Sequence, residues 1–215
     1  MVLWAAGTIV WALGDYLLSG DRMSYVLLPG AVLYVPLCWW LGYRYDEAKF
    51  YSEKDPLTGV HNRRYVQKSF PAMCASASRN GKQIGLLVLD INDFKSINDA
   101  YGHKKGDLVL QRISGMLSGV VRRSDVMSRW GGDEFMIIVP CMDKKGIDTL
   151  IKRIEDGLKL LTETMQIEIQ VSIGSALYPT DAAGLDELIE IADRDMYRIK
   201  LQKDTDAAQR HDCES

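Results

Sequence analysis

Charge is distributed along this chain in two blocks, and that partition limits what it can fold into more than any other feature. Residues 1–43 carry only Asp15, Asp21 and Arg22, while the rest of the 215-residue chain holds 25 of the 26 basic and 27 of the 29 acidic residues. Four of the five tryptophans (Trp4, Trp11, Trp39, Trp40) also lie in the first block. Met1–Ser19 has one charge and Tyr25–Tyr43 has none. As helices, runs of this length reach roughly 28 Å, close to the hydrocarbon thickness of a bilayer. Gly20–Ser24 is a short polar turn between them. The pattern predicts two transmembrane helices, about 1–19 and 25–43, that contact a lipid bilayer as a hairpin. Trp39, Trp40 and Tyr43 fall where the second helix would leave the membrane, and Arg44, Lys49, Lys54, Arg63 and Arg64 follow. Positive charge on that side predicts an inner (cytoplasmic) membrane protein with its charged domain in the cytoplasm. Two other readings exist. A signal peptide would need a basic start and a small-residue cleavage site, which are missing. A buried hairpin of a soluble protein would accommodate Asp15, Pro29 and Pro36 more easily than lipid does.

The second block is globular in composition. With 47% apolar and 26% charged residues overall, a long disordered tail is excluded, and a net charge of −3 argues against nucleic acid as a partner. Cys38, Cys74, Cys141 and Cys213 have no metal-type spacing and read as reduced thiols. Residues 44–54 read as a helical stalk, interrupted at Asp55-Pro56, and 204–215 as a polar tail. Ile84–Ile91 and Phe135–Val139 are short branched apolar runs expected to be buried strands, and Ile167–Leu177 alternates like a strand. His103–Val121, Ile147–Leu161 and Leu185–Leu201 have helical periodicity. The segments flanking Gly131-Gly132 are close enough to pair as a hairpin. The expected class is therefore α+β, a sheet flanked by helices.

The chemistry gathers at the strand ends. Asp90 closes the first strand, and Asp133 and Glu134 occupy the turn into the next. Carboxylates at neighbouring strand tips suit hard divalent cations, which take oxygen ligands. Gly131 and Gly132 leave backbone N–H groups open to an anion, and Lys95 could neutralise phosphate. These residues together describe a metal-assisted site for a nucleotide polyphosphate.

Residues 129–135, Arg-Trp-Gly-Gly-Asp-Glu-Phe, contain the signature of a known family, and four further elements accompany it in order. Asp55-Pro56-Leu57-Thr58-Gly59-Val60-His61-Asn62-Arg63-Arg64 is similar to its opening element. Asp90–Asp99 with Gly102–Asp107 resembles its central one, and Ser172-Ile173-Gly174 and Ala192-Asp193…Met196-Tyr197…Lys200 resemble the last two. Over residues 55–203 the chain resembles the GGDEF-domain diguanylate cyclases. That resemblance implies a cyclase-like, polymerase-palm-like (ferredoxin-like) domain that condenses two GTP into cyclic di-GMP and two pyrophosphates. It implies two Mg²⁺ ions (Mn²⁺ being the alternative) on Asp90, the Ile91 carbonyl and Asp133. Asp133 has two open roles, base for the 3′-hydroxyl or ligand only, and Glu134 either assists the metal site or supports the turn. Asn98 and Asp107 would bind guanine, His103 another part of the substrate, and Phe94, Lys95, Gly131, Gly132 and Lys200 the phosphates. Arg122 and Asp125, with Arg153, match an inhibitory site for the product. A homodimer with two facing sites is implied by the symmetric product.

The likeness lapses at three places. Asn92 stands where an Asp is usual and Asp93 where a larger ring is common. Lys203-Asp204-Thr205 replaces a closing Gly-Arg-Asn, which leaves Lys200, with Lys203 near it in sequence, to meet the triphosphate. An alternative follows from that lapse: a catalytically idle module that senses GTP or cyclic di-GMP.

Overall fold

The computed structural model describes residues 34–45 and 53–213, together with Gly14 and Ala48, and side chains as far as Leu201. Residues 34–45 are helical, with Trp39, Trp40 and Tyr43 exposed and Trp39 stacked on Tyr43 at 6.0 Å. Among the described residues no helix is long and apolar enough to cross a membrane. Apart from Gly14, the first expected span lies outside the described residues, and so does 25–33 of the second. Most of the expected stalk lies outside them too. Residues 1–52 and 53–215 are separate compact units.

The second unit runs β1 (His61–Asn62), α1 (Arg63–Arg79), β2 (Ile84–Ile91), α2 (Phe94–Tyr101), α3 (His103–Val120), β3 (Val126–Arg129), β4 (Glu134–Pro140), α4 (Lys144–Met165), β5 (Val171–Tyr178) and α5 (Leu185–Cys213). The five strands form one mixed sheet in the order β1-β3-β4-β2-β5, parallel only between β1 and β3. This is the α+β arrangement that the sequence predicts. β2 is apolar from Ile84 to Leu89 because helices cover both faces of the sheet. Leu87, Leu89, Phe135, Ile137 and Ile173 pack with α2, α3 and α4 on one face. Leu86, Val88, Met136, Ile138 and Ala176 pack with α1 and α5 on the other.

Two boundaries differ from the sequence reading. The strand expected from Ile167 begins at Val171, and residues 166–170 are irregular. The final helix, expected at Leu185–Leu201, continues as α5 to Cys213. Ala, Gln, Lys and Arg in 202–210 are strong helix formers, so propensity sustains a helix where no apolar stripe announces one.

Gly174 lets α5 lie directly on β5. A Cβ there would run into the Ala192 carbonyl and come within 2.8 Å of the Met196 Cβ. Gly174→Ala is expected to destabilise the domain by about 2–3 kcal/mol through overpacking, read from urea unfolding midpoints. An unchanged midpoint would show that α5 yields without loss.

Candidate active site

Strand register assembles the acidic cluster. In the β2–β4 pair Asp90 stands opposite Glu134, and in the β2–β5 pair it stands opposite Ser172. By the two-residue alternation of a strand, Asp90 shares the face of Leu86 and Val88, and Glu134 that of Met136 and Ile138. Both carboxylates therefore crown the face covered by α1 and α5. Asp133 precedes Glu134 in the turn, and its backbone carbonyl accepts the Ile91 N–H at 3.3 Å. That bond joins the turn to the end of β2, so Asp133 and Glu134 lie beside the strand end that carries Asp90 and Ile91. The Ile91 side chain itself is core.

Electrostatics mark the cluster as over-negative. Burial pushes the Glu134 carboxyl above the usual carboxylate range, and Asp90, Asp133 and Asp193 push it further, with Arg63 opposing them. Burial also raises Asp193. Lys200 Nζ bonds Asp90 Oδ1 at 2.8 Å, an ion pair between side chains 35% and 18% exposed. The ammonium is a stand-in cation, and the all-oxygen donors fit Mg²⁺ or Mn²⁺. Among the described residues no three acidic, His or Cys groups already converge as a ready-made cage. Such an ion would therefore need ligands from outside this set, which phosphates and water ordinarily supply to Mg²⁺.

The turn is held from outside by a residue that sequence reasoning passed over. Arg129 Nε and Nη2 donate to the Gly132 carbonyl at 3.0 and 2.6 Å, and its Nη1 donates to both Asp55 carboxylate oxygens at 3.2 and 3.4 Å. Asp55 also accepts the Thr58 N–H at 2.9 Å and hydroxyl at 2.6 Å. Burial alone would raise the Asp55 carboxyl, but the Thr58 and Arg129 contacts outweigh it and hold it below its ordinary value. The opening element thus grips the Gly131–Glu134 turn across 74 positions, and no local pattern announces that pairing. The glycines have different reasons. A Cβ on Gly131 would strike the Glu134 carboxylate, whereas Gly132 faces open space.

Of the expected guanine residues, the structure sets Asn98 on α2 against Gly106, the residue before Asp107. A Cβ at Gly106 would collide with the Asn98 Oδ1 and lie 3.0 Å from Cγ. Asp107 follows on α3, exposed; the α3 cap is Gly102, and Asp107 does not serve as one. His103 is the first residue of α3 and is exposed. Phe94 is half-buried at the start of α2, with its ring beside Gly106, and Lys95 is exposed next to it. The lapses at 92 and 93 have local roles. Asn92 accepts the Ser172 hydroxyl at 2.9 Å, and Asp93 adopts φ 51° where the chain reverses into α2, a conformation Asp tolerates better than most residues.

Arg122 and Asp125 form their own turn between α3 and β3. The Asp125 carboxylate accepts the Arg122 N–H at 2.7 Å and the Ser124 hydroxyl at 3.1 Å, which fixes its orientation. The Arg122 and Arg153 side chains are exposed, Arg153 on α4. Cys38, Cys74 and Cys141 form no disulfide.

Comparison with known proteins agrees with this geometry. The family described as "Diguanylate cyclase, GGDEF domain" matches residues 52–206. The chain is 31% identical over 183 residues to the probable diguanylate cyclase DgcC of Escherichia coli, covering 80% of this chain and 49% of that protein. It is 32% identical over 157 residues to the diguanylate cyclase DgcS of Shewanella oneidensis, covering 73% and 52%. The chain thus spans about half the length of these curated relatives. Among solved structures, the coiled coil and GGDEF domain of DgcB from Caulobacter crescentus, in complex with c-di-GMP, superposes with a TM-score of 0.72 at 25% identity, covering 82% of this chain and 95% of that one. The GGDEF domain of TpbB (YfiN) from Pseudomonas aeruginosa gives 0.65 at 31% identity, covering 69% and 89%. With its sheet, its strand-end carboxylates and this match over most of its length, the chain belongs to the GGDEF-domain diguanylate cyclase family.

Proposed function

We propose that this protein is a diguanylate cyclase that joins two GTP into cyclic di-GMP and releases two pyrophosphates. The observation that carries the reading is the register that sets Asp90 against Glu134, with Asp133 tied to Ile91 and Lys200 bonded to Asp90. Asp90, the Ile91 carbonyl and Asp133 would hold two Mg²⁺ ions, which when bound stabilise negative charge on the phosphoryl group and the leaving pyrophosphate. Asp133 accepts the proton of the attacking 3′-hydroxyl at its carboxylate. Glu134, held back against Gly131, sets the charge of the pocket around that group. Asp107 takes the two donors on the guanine edge, a pattern adenine lacks, and Asn98 completes the contact. Lys200, released from Asp90, neutralises phosphate.

The reaction needs two such domains. One domain offers one catalytic turn and one guanine site, while the product joins two GTP units symmetrically, so two copies face each other in a C2 homodimer. The charge-poor runs 1–19 and 25–43 supply a membrane anchor on this reading, with the domain in the cytoplasm, and confinement there raises the effective concentration of the pair. The relative DgcB binds c-di-GMP. The exposed guanidinium of Arg122 on its Asp125-braced turn, with Arg153, supports a product-binding site here that restrains synthesis.

Two measurements test the reading. The full chain incubated with Mg²⁺ and GTP is expected to yield cyclic di-GMP. The specific activity of residues 53–215 is expected to rise with protein concentration in the micromolar range. GTP bound but unchanged would favour the idle sensing module, and a concentration-independent rate from a monomer would remove the dimer. Gly106→Ala tests the guanine site with Asn98 and Asp107 both left unsubstituted. The added methyl displaces the Asn98 carboxamide and should weaken GTP binding about tenfold, the scale of one hydrogen bond to a charged or polar partner. Unaltered GTP affinity would place guanine elsewhere.

A further inference from the structure

We propose that Arg63 is a second phosphate-binding cation of this site, gripping the terminal phosphates of GTP from the α1 side while Lys200 approaches from α5. The inference rests on the reading of the site as a GTP site and names a residue which that reading leaves unused. Asp90 and Glu134 point to the face covered by α1 and α5, so a triphosphate brought to them meets side chains from those two helices. α5 contributes Lys200, but also Asp193, and Lys200 is bonded to Asp90 at 2.8 Å. Phosphate entering beside Asp90, Asp133, Glu134 and Asp193 needs more positive charge than that one ammonium.

α1 places a cation at this point. Asn62 caps the helix by accepting the Tyr65 N–H at 3.1 Å, which fixes Arg63 as its first residue. The Arg63 guanidinium lies over the Trp130 ring, 4.6 Å from its centroid. Trp130 is anchored at the mouth of the catalytic turn, its N–H bonded to the Glu134 carbonyl at 2.8 Å. Arg63 is exposed, and among the described residues its guanidinium makes no hydrogen bond or ion pair. A guanidinium stacked on a ring keeps its in-plane N–H donors outward, in the fork that suits phosphate oxygens. Its charge already reaches Glu134, where it opposes the rise caused by burial and the neighbouring carboxylates. Lys95 is also exposed near the end of β2, but it rises from α2, which packs on the opposite face of the sheet.

The test compares the full-length wild type with Arg63→Gln, Arg63→Lys and, as a control at the far end of the same helix, Arg79→Gln. Calorimetric binding of GTP, GMP and tripolyphosphate in Mg²⁺ is measured for each, alongside KM and kcat. Arg63→Gln is expected to weaken GTP and tripolyphosphate binding about tenfold or more, the scale of a charge-assisted contact. GMP binding should not move, KM should rise with kcat nearly unchanged, Arg63→Lys should recover part of the loss, and Arg79→Gln should match the wild type. Equal loss for GMP and GTP would mean a structural role and would overturn the proposal. So would unchanged tripolyphosphate binding, or a variant whose only change is weaker inhibition by cyclic di-GMP. Because GMP and tripolyphosphate binding is read without turnover, a wild type that makes no product would defeat the cyclase reading while leaving this comparison decisive.

Discussion

Asp133→Ala is expected to lower cyclic di-GMP formation by at least about a thousandfold, the scale on which positioned acid–base and charge-stabilising groups act. The fold should survive the change. The contact that residue 133 makes with the sheet is its backbone carbonyl to the Ile91 N–H, which alanine retains. Among the described residues its carboxylate makes no hydrogen bond or ion pair, so removal leaves no partner orphaned. Removing one carboxylate also lessens the repulsion on Glu134, whose carboxyl Asp133 helps to push upward. Unfolding midpoints of variant and wild type should therefore agree closely. Most of the activity persisting in a folded Asp133→Ala protein would show that the turn carboxylate is not at the reacting centre.

The second large effect belongs to Arg129. Its side chain and that of Asp55 are only 16% and 17% exposed, and the guanidinium serves two partners at once. Arg129→Ala leaves the Gly132 carbonyl without these donors and Asp55 without its cation. Losing one member of a largely buried pair costs about 2–4 kcal/mol, and the Gly131–Glu134 turn loses its brace. Stability by urea unfolding should fall by that amount, and activity should fall with it, because small displacements of reacting groups are costly. A pH dependence accompanies the change. Asp55 has a folded pKa below its unfolded one, so the unfolded chain binds more protons as the solution becomes acidic. Its stabilising contribution is complete above the ordinary carboxylate range and is lost as pH falls through the depressed folded value. In Arg129→Ala that acid branch should be shallower, with the Thr58 contacts remaining. Superimposable acid branches would remove Asp55–Arg129 as the link.

How much of this was legible in the sequence follows from the range of the interactions. β2 and β4 show themselves as branched apolar runs because two helix layers bury both faces, whereas the pairing that sets Asp90 opposite Glu134 joins non-consecutive strands and comes from the fold. Asn98 and Asp107 stand nine positions apart on consecutive helices, so the closeness of Asn98 to Gly106, next to Asp107, is a local matter. The ion pair of Lys200 with Asp90 spans 110 positions, and the bond from Arg129 to Asp55 spans 74. Neither has a local period, and each depends on which helix covers which face. Arg63 and Asp193 were visible as members of recurring elements, but their place beside the carboxylates comes from α1 and α5 sharing one face. The extension of α5 past Leu201 has no sequence signal of its own, because such a helix needs good helix formers and no apolar stripe.

The most direct measurement is the stoichiometry of one reaction. The full chain, Mg²⁺ and GTP are allowed to react, and pyrophosphate and cyclic di-GMP are quantified in the same sample as the reaction proceeds. Two pyrophosphates are expected for each cyclic di-GMP, and neither product when Asp133 is alanine. GTP consumed to GDP and phosphate, or pyrophosphate released without a cyclic dinucleotide, would contradict it.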